Sequence, residues 1–268
     1  MTFKDQLNRT FQLEKTPFRI VSLVPSQTEL LYDLGLEQQL VGVTKFCIHP
    51  QHIKKNVAVV GGTKQVDYHK IKALNPDIIL CNKEENTKTI VEGCEVICAT
   101  HVSDIFTISD SFQLMEQYGK IFNVEEAVAK LVSKISVEKE KFNVFIIDKS
   151  ILKVVYFIWK DPYMVVGNNN FINHLLKLNG FENSCNDKDR YPEIRLDEIS
   201  KDTVDVIMLS SEPYPFKDKH KKELEHHFPN TKIILVDGEM FSWYGSRLAK
   251  AFTYFKKLRL NLQHIQTN

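Results

Sequence analysis

Between Phe46 and Pro50 the chain reads Phe-Cys-Ile-His-Pro, which sets the thiol of Cys47 two residues from the imidazole of His49. Such a pair can supply an activated nucleophile or two metal donors, Cys47 and His49. No third partner lies in sequence reach, so a packed cysteine beside a hydrogen-bonded histidine is the alternative. Carboxylates recur in Lys-Glu-Glu-Asn, where Glu84 and Glu85 fall at an expected helix start and Asn86 follows. Glu212 stands in Ser-Ser-Glu-Pro-Tyr-Pro-Phe, ahead of a proline, where no helix accounts for it. The densest run is Asp237–Phe252, DGEMFSWYGSRLAKAF, which gathers Trp243, Tyr244, Ser246 and Arg247 at an element boundary. Arg247 falls in the expected first turn of the last helix, where positive charge is unfavourable, and this points to an anionic partner. The other reading has these aromatics plugging the end of a sheet, with Arg247 paired to an acid such as Glu212.

These groups need elements that hold them at one edge. An N-terminal hairpin turning at Asn8-Arg9 precedes an alternation of β-rich and helical runs. RIVSLV (19–24), LVGVT, PDIIL and EVICA read as strands, separated by helices in SQTELLYDLGL, VDYHKIKAL and EENTKTIVEG. Ser26 with Glu29 three residues on suggests a capping box opening the first helix, and Gly35 stops it. From 108 to 142 apolar residues recur at helical spacing without a proline, which predicts one bridging helix of roughly 45 Å. The alternation then resumes with NVFII, LKVVYFIW, VDVIMLS and KIILVD as strands and helices near 170–178, 217–227 and 245–260. The expected fold is α/β: two Rossmann-like lobes with mainly parallel sheets, an N-terminal lobe over 1–107, the bridging helix over 108–142 and a C-terminal lobe over 143–268. Ligands of such sheets bind beyond the carboxyl ends of the strands, and here that expectation falls on a cleft between the lobes. Candidate ligand-binding residues past the strand ends are Phe46, Cys47, His49, Lys64, Glu85, Asn86, Trp159, Tyr163, Glu212, Tyr214, Trp243, Tyr244, Ser246 and Arg247.

Bulk properties exclude several classes. The 268 residues carry 35 basic and 34 acidic side chains, a formal charge of +1, which offers no broad electrostatic surface to nucleic acid or an anionic membrane. No apolar run is long enough for membrane insertion or for a signal peptide, so the sequence as it stands reads as cytoplasmic, or as periplasmic if an export signal was removed. Five cysteines form no paired framework, and Cys94 and Cys98 lack the second half of a zinc motif. Dinucleotide, P-loop, nucleophile-elbow and HExxH motifs are missing, and Gly61-Gly62-Thr63-Lys64 reads as a turn.

RIVSLVPSQTELLYDLG, VGVTKFCIHP, VGGTKQVDYHKIKALNPDIIL, the long helical stretch and IRLDEISKDTVDVIML together resemble the helical-backbone class of ABC-transporter substrate-binding proteins, which includes cobalamin- and iron-siderophore-binding proteins. The resemblance runs from about Arg19 to Leu258. It implies two lobes with little hinge motion, a bulky chelate as ligand and no covalent cofactor. Phe46, Tyr191 and Trp243 match aromatic positions that line the cleft of cobalamin binders, and Thr63 stands where another aromatic would. It also implies a permease partner met by an acid on each lobe. Asp197 matches the second of these, whereas His69 occupies the first position with Asp67 nearby.

Two functions follow. The first is a monomeric binder of a cobalamin-like or iron-siderophore or heme-like chelate for ABC-type uptake. The second is a cytoplasmic metal-handling protein or enzyme on the same scaffold, using Cys47, His49, Glu85 and Glu212.

Overall fold

The structure, a computed structural model, describes residues 1–200 and 203–263. The chain divides into two compact units: Met1–Ile135 with Trp243–Arg247, and Ser136–Ser242 with the segment from Leu248 onward.

The first unit opens with the hairpin of β1 (Thr2–Lys4) and β2 (Thr10–Gln12), with Asn8 at φ 60° in its turn. There follow β3 (Ile20–Ser22), α1 (Pro25–Asp33), β4 (Leu40–Val43), α2 (Ile53–Asn56), β5 (Ala58–Val59), α3 (Tyr68–Ala73), β6 (Ile78–Asn82), α4 (Lys88–Glu95) and β7 (Ala99–Ser103). The sheet is parallel throughout, in the order β5-β4-β3-β6-β7. Every residue of β3 and β6 is buried, as continuous apolar strands covered on both faces require. Successive strands run outward on one side of β3 and then on the other, so the order reverses between β3 and β6. A crevice opens at such a reversal, beyond the carboxyl ends.

Local details correct the sequence reading. No capping box opens α1: it starts at Pro25, its N-cap Val24 makes no side-chain bond, and Ser26 and Glu29 are buried inside the helix. Proline needs no N–H partner at a first turn, so α1 starts without a capping side chain. The helix α4 begins only after Thr87, whose hydroxyl accepts from the Ile90 amide, so Glu84 and Glu85 precede it rather than starting it. It then runs through Glu95, burying Ile90, Val91 and Cys94, and this moves the next strand from EVICA to Ala99–Ser103.

The stretch expected as one rod is two helices, α5 (Ile108–Phe122) and α6 (Glu125–Ile146). Asn123 adopts φ 57°, ψ 48°, and the Val124 amide reaches back to the Gly119 carbonyl at 2.9 Å. Asparagine tolerates this left-handed cap, and Glu125 and Glu126 then suit the positive end of a new helix. An unbroken apolar period could not reveal a single left-handed residue. Asn123→Gly is expected to stay within about 0.5 kcal/mol of wild type and Asn123→Ala to cost about 1 kcal/mol, read from thermal unfolding midpoints. The helix α6 also absorbs residues 143–146 of NVFII (143–147), read as a strand from its branched and aromatic residues; tertiary packing of Phe142 against Phe252 and Phe255 overrides that preference. The boundary between the units, Ile135/Ser136, falls within α6.

The second unit contains β8 (Leu152–Trp159), β9 (Met164–Val165), α7 (Phe171–Leu178), β10 (Phe181–Asn183), β11 (Val206–Ser210), α8 (Asp218–His227), β12 (Lys232–Val236), α9 (Gly238–Ser242) and α10 (Leu248–Leu262). Its sheet runs β10-β8-β11-β12 in parallel, with β9 antiparallel on β8. The order reverses between β8 and β11, which places the second crevice at Trp159 and Ser210. One core joins Val155, Phe157, Ile207 and Leu209 of the sheet to Leu224 of α8 and to Phe228, its C-cap. No helix among the described residues is long and apolar enough to cross a membrane.

Candidate functional site

In the first unit the loops after β4, β5 and β6 meet at the carboxyl edge. Lys45 donates its amide to the Gly61 carbonyl at 2.7 Å. Gly61 has φ 131°, and a Cβ there would lie 2.5 Å from the Gln65 carbonyl oxygen, so this turn needs glycine. Lys64 Nζ donates to the Glu84 carbonyl at 2.5 Å, which ties the second loop to the third. Asn86 has a different task from the one expected. Its amide nitrogen donates to the Thr63 carbonyl at 2.9 Å and its oxygen accepts from the Asn82 amide, so it staples loops from inside. Asn82 in turn accepts from the Glu84 and Glu85 amides at 2.8 and 3.1 Å, which shapes the turn presenting Glu85. Burial pushes the half-buried Glu85 carboxyl up, against the opposing pull of Lys64.

Phe46 is 50% exposed at this edge, with the Lys45 ammonium 5.0 Å from its ring centre. Cys47 turns the other way. It is fully buried, with Sγ 3.1 Å from Thr28 Oγ1 and 3.3 Å from Thr44 Oγ1. Burial raises its pKa, so it is a packed thiol rather than a thiolate. The His49 ring instead meets the Trp243 ring edge-on at 5.3 Å. Cys47 and His49 thus contact different partners, and among the described residues no three His, Cys, Asp or Glu groups converge as a metal cage would.

The Trp243–Arg247 segment packs within the first unit, although elements of the second flank it in sequence. Arg247 precedes α10 instead of occupying its first turn. Its Nε and Nη2 donate to the Glu29 carboxylate at 2.8 and 2.9 Å, with both side chains buried, and the guanidinium lies 4.7 Å from the Trp243 ring centre. The anionic partner inferred from charge placement is therefore Glu29, 218 positions away in sequence. Tyr244 and Ser246 are buried with it. In the second unit Trp159 is 39% exposed at the end of β8, and Tyr214 packs edge-on against it at 5.6 Å. Tyr163 donates to Glu223 Oε1 at 3.1 Å, and Lys160 pairs with the same carboxylate. Ser242 donates to Glu212 Oε1 at 2.5 Å, while a Cβ on Gly238 would sit 2.6 Å from Glu212 Cγ, so α9 fixes this carboxylate closely. Tyr191 is half-buried on the loop after β10.

Residues 20–231 match the family model described as periplasmic binding protein. The chain belongs to that family. This periplasmic binding protein is 26% identical over 265 residues to YvrC of Bacillus subtilis, an uncharacterized ABC transporter substrate-binding lipoprotein, across 92% of this chain and 82% of the relative. It is 24% identical to the vitamin B12-binding protein of Vibrio campbellii, covering 72% and 70% of the two chains. Among solved structures, the periplasmic heme-binding protein RhuT of Roseiflexus superposes with a TM-score of 0.80 at 17% identity, over 92% of this chain and 99% of that one.

Within this periplasmic binding protein the sequence-derived site residues separate by role. Phe46, Lys64, Glu85, Trp159, Tyr163, Glu212 and Tyr214 sit on or beside the carboxyl edges with some exposure. Cys47, Asn86, Trp243, Tyr244, Ser246 and Arg247 are interior. Of the two expected docking acids, Asp67 accepts from the Lys70 amide as the N-cap of α3, and Asp197 is exposed beside Arg195. Sequence reasoning missed Gln27 and Asn82, the buried amides that organise the first unit's edge. The one available signal was four consecutive polar residues, Ser26–Glu29, directly after an apolar strand.

Proposed function

We propose that this chain is a substrate-binding protein for a bulky metal chelate, a cobalamin-like or heme-like macrocycle or an iron-siderophore complex, delivered to an ABC-type permease. The observation that carries this reading is an exposed aromatic at the carboxyl edge of each unit, Phe46 in the first and Trp159 in the second. Rigid rings presented to solvent at a sheet's ligand-binding edge suit a large, partly apolar ligand. Glu85, Lys64 and Glu212 supply polar contacts to its rim. The similarity to vitamin B12-binding and heme-binding proteins supports the ligand class, and the lipoprotein relative supports work outside the cytoplasmic membrane. Asp197 is proposed to face the permease on the second unit, with Asp67 on the first.

Purified protein titrated with aquocobalamin, hemin and a ferric siderophore is expected to give a saturable difference spectrum with one of them. Trp159→Ala and Phe46→Ala are each expected to weaken that binding roughly tenfold or more, as truncated aromatic anchors do. Spectra unchanged by all three ligands, together with unaltered thermal midpoints, would defeat the reading.

A further inference from the structure

Arg259 lies in the last turn of α10 and is 3% exposed. Its Nη2 donates to the Ser150 carbonyl at 2.5 Å, and its guanidinium carbon sits 4.7 Å from the Phe181 ring centre. Nε and Nη1 are buried with no hydrogen-bond partner among the described residues. The ring attracts the charge but offers no lone pair, so neither contact satisfies these two donors. A buried cation with idle donors is costly unless something accepts from them. Beside it is a cavity of about 270 Å³ whose wall includes Arg259, Lys149, Ser150, Gln263 and Asp148. Two cationic groups, a hydroxyl and an amide thus line one space, with a single carboxylate opposing them.

We propose that this cavity binds a small oxyanion, a carboxylate or a phosphate, held by the guanidinium of Arg259 with Lys149 at the rim. Because neither idle donor is exposed, the anion draws the guanidinium toward the cavity past Lys149 and Gln263, whose side chains are long and flexible. The site lies entirely in the second unit and does not depend on the chelate-binding function.

The full chain is melted in sodium phosphate, sodium acetate or sodium chloride at matched ionic strength. Phosphate or acetate is expected to raise the midpoint above the chloride control by about 3 °C or more as its concentration passes the dissociation constant. The rise should vanish in Arg259→Gln and shrink in Lys149→Ala. Asp148→Asn should strengthen apparent binding roughly twofold by removing the opposing charge. The responding probe identifies the acceptor shape. Equal wild-type midpoints in all three salts overturn the proposal, as does an undiminished rise in Arg259→Gln. If that variant does not fold, an unchanged response in both Lys149→Ala and Asp148→Asn overturns it instead.

Discussion

Arg247→Met is expected to destabilise the first unit by about 3–5 kcal/mol, the usual consequence of stranding one member of a buried ion pair. The pair is bidentate at 2.8 and 2.9 Å, with side-chain exposures of 6% for Arg247 and 7% for Glu29. Deleting the guanidinium leaves the Glu29 carboxylate inside α1 with its main cationic partner gone. Glu29→Leu strands the arginine and should cost a similar amount. The double variant leaves neither charge behind and should recover most of the loss, because two apolar groups of similar volume replace the pair without a desolvation penalty. Arg247→Lys is not a rescue, since an ammonium cannot reproduce the two parallel donors or the contact with Trp243. Urea unfolding followed by Trp243 fluorescence in a Trp159→Phe background reports on this unit alone. A loss below about 1 kcal/mol in Arg247→Met, or a double variant as unstable as the worse single, would refute the argument.

The same pair shows where reading a sequence stops. Charge placement marked Arg247 as needing an anion on the premise of a first-turn position, whereas the residue precedes α10. It could not say which anion, since Glu29 lies 218 positions away and the fold alone brings them together. Strand and helix periods are local and repeat, so the two parallel sheets and most helices were legible from hydrophobic patterning. Events confined to one residue were not: the left-handed Asn123 splits a helix whose apolar period is unbroken. The site followed the same division. Phe46 and Trp159 could be placed at the carboxyl edges because they lie at or just past the ends of β4 and β8. Cys47 could not, because its orientation depends on Thr28, supplied by another element. Chemistry-bearing residue types were visible in the sequence; whether each faces solvent or interior was decided by distant partners.

Gln27→Leu is expected to cost about 3 kcal/mol and to loosen the Trp243–Arg247 segment, although Gln27 is fully buried. Its amide nitrogen donates to Ser103 Oγ at 2.6 Å and to the Tyr244 hydroxyl at 3.1 Å, while its oxygen accepts from the Tyr118 hydroxyl at 2.7 Å. Burial raises the pKa of both phenols, so each keeps its proton at neutral pH and remains a donor. Leucine preserves the volume but removes every one of these partners, and a buried polar group left unpaired costs about 1–3 kcal/mol. Ser103 is partly protected, because Asn82 Nδ2 also donates to its hydroxyl at 3.0 Å. Among the described residues Tyr118 has no such second bond, so Tyr118→Phe should be markedly less harmful in the Gln27→Leu background than alone. That non-additivity, measured by urea unfolding of the two singles and the double, separates a shared network from loss of packing, which would add. Because Asn82 also holds the Glu84 and Glu85 amides, the disturbance should reach the presenting edge. Hydrogen exchange in residues 83–86 is therefore expected to quicken in Gln27→Leu, while the turn at Asn123 keeps its wild-type protection.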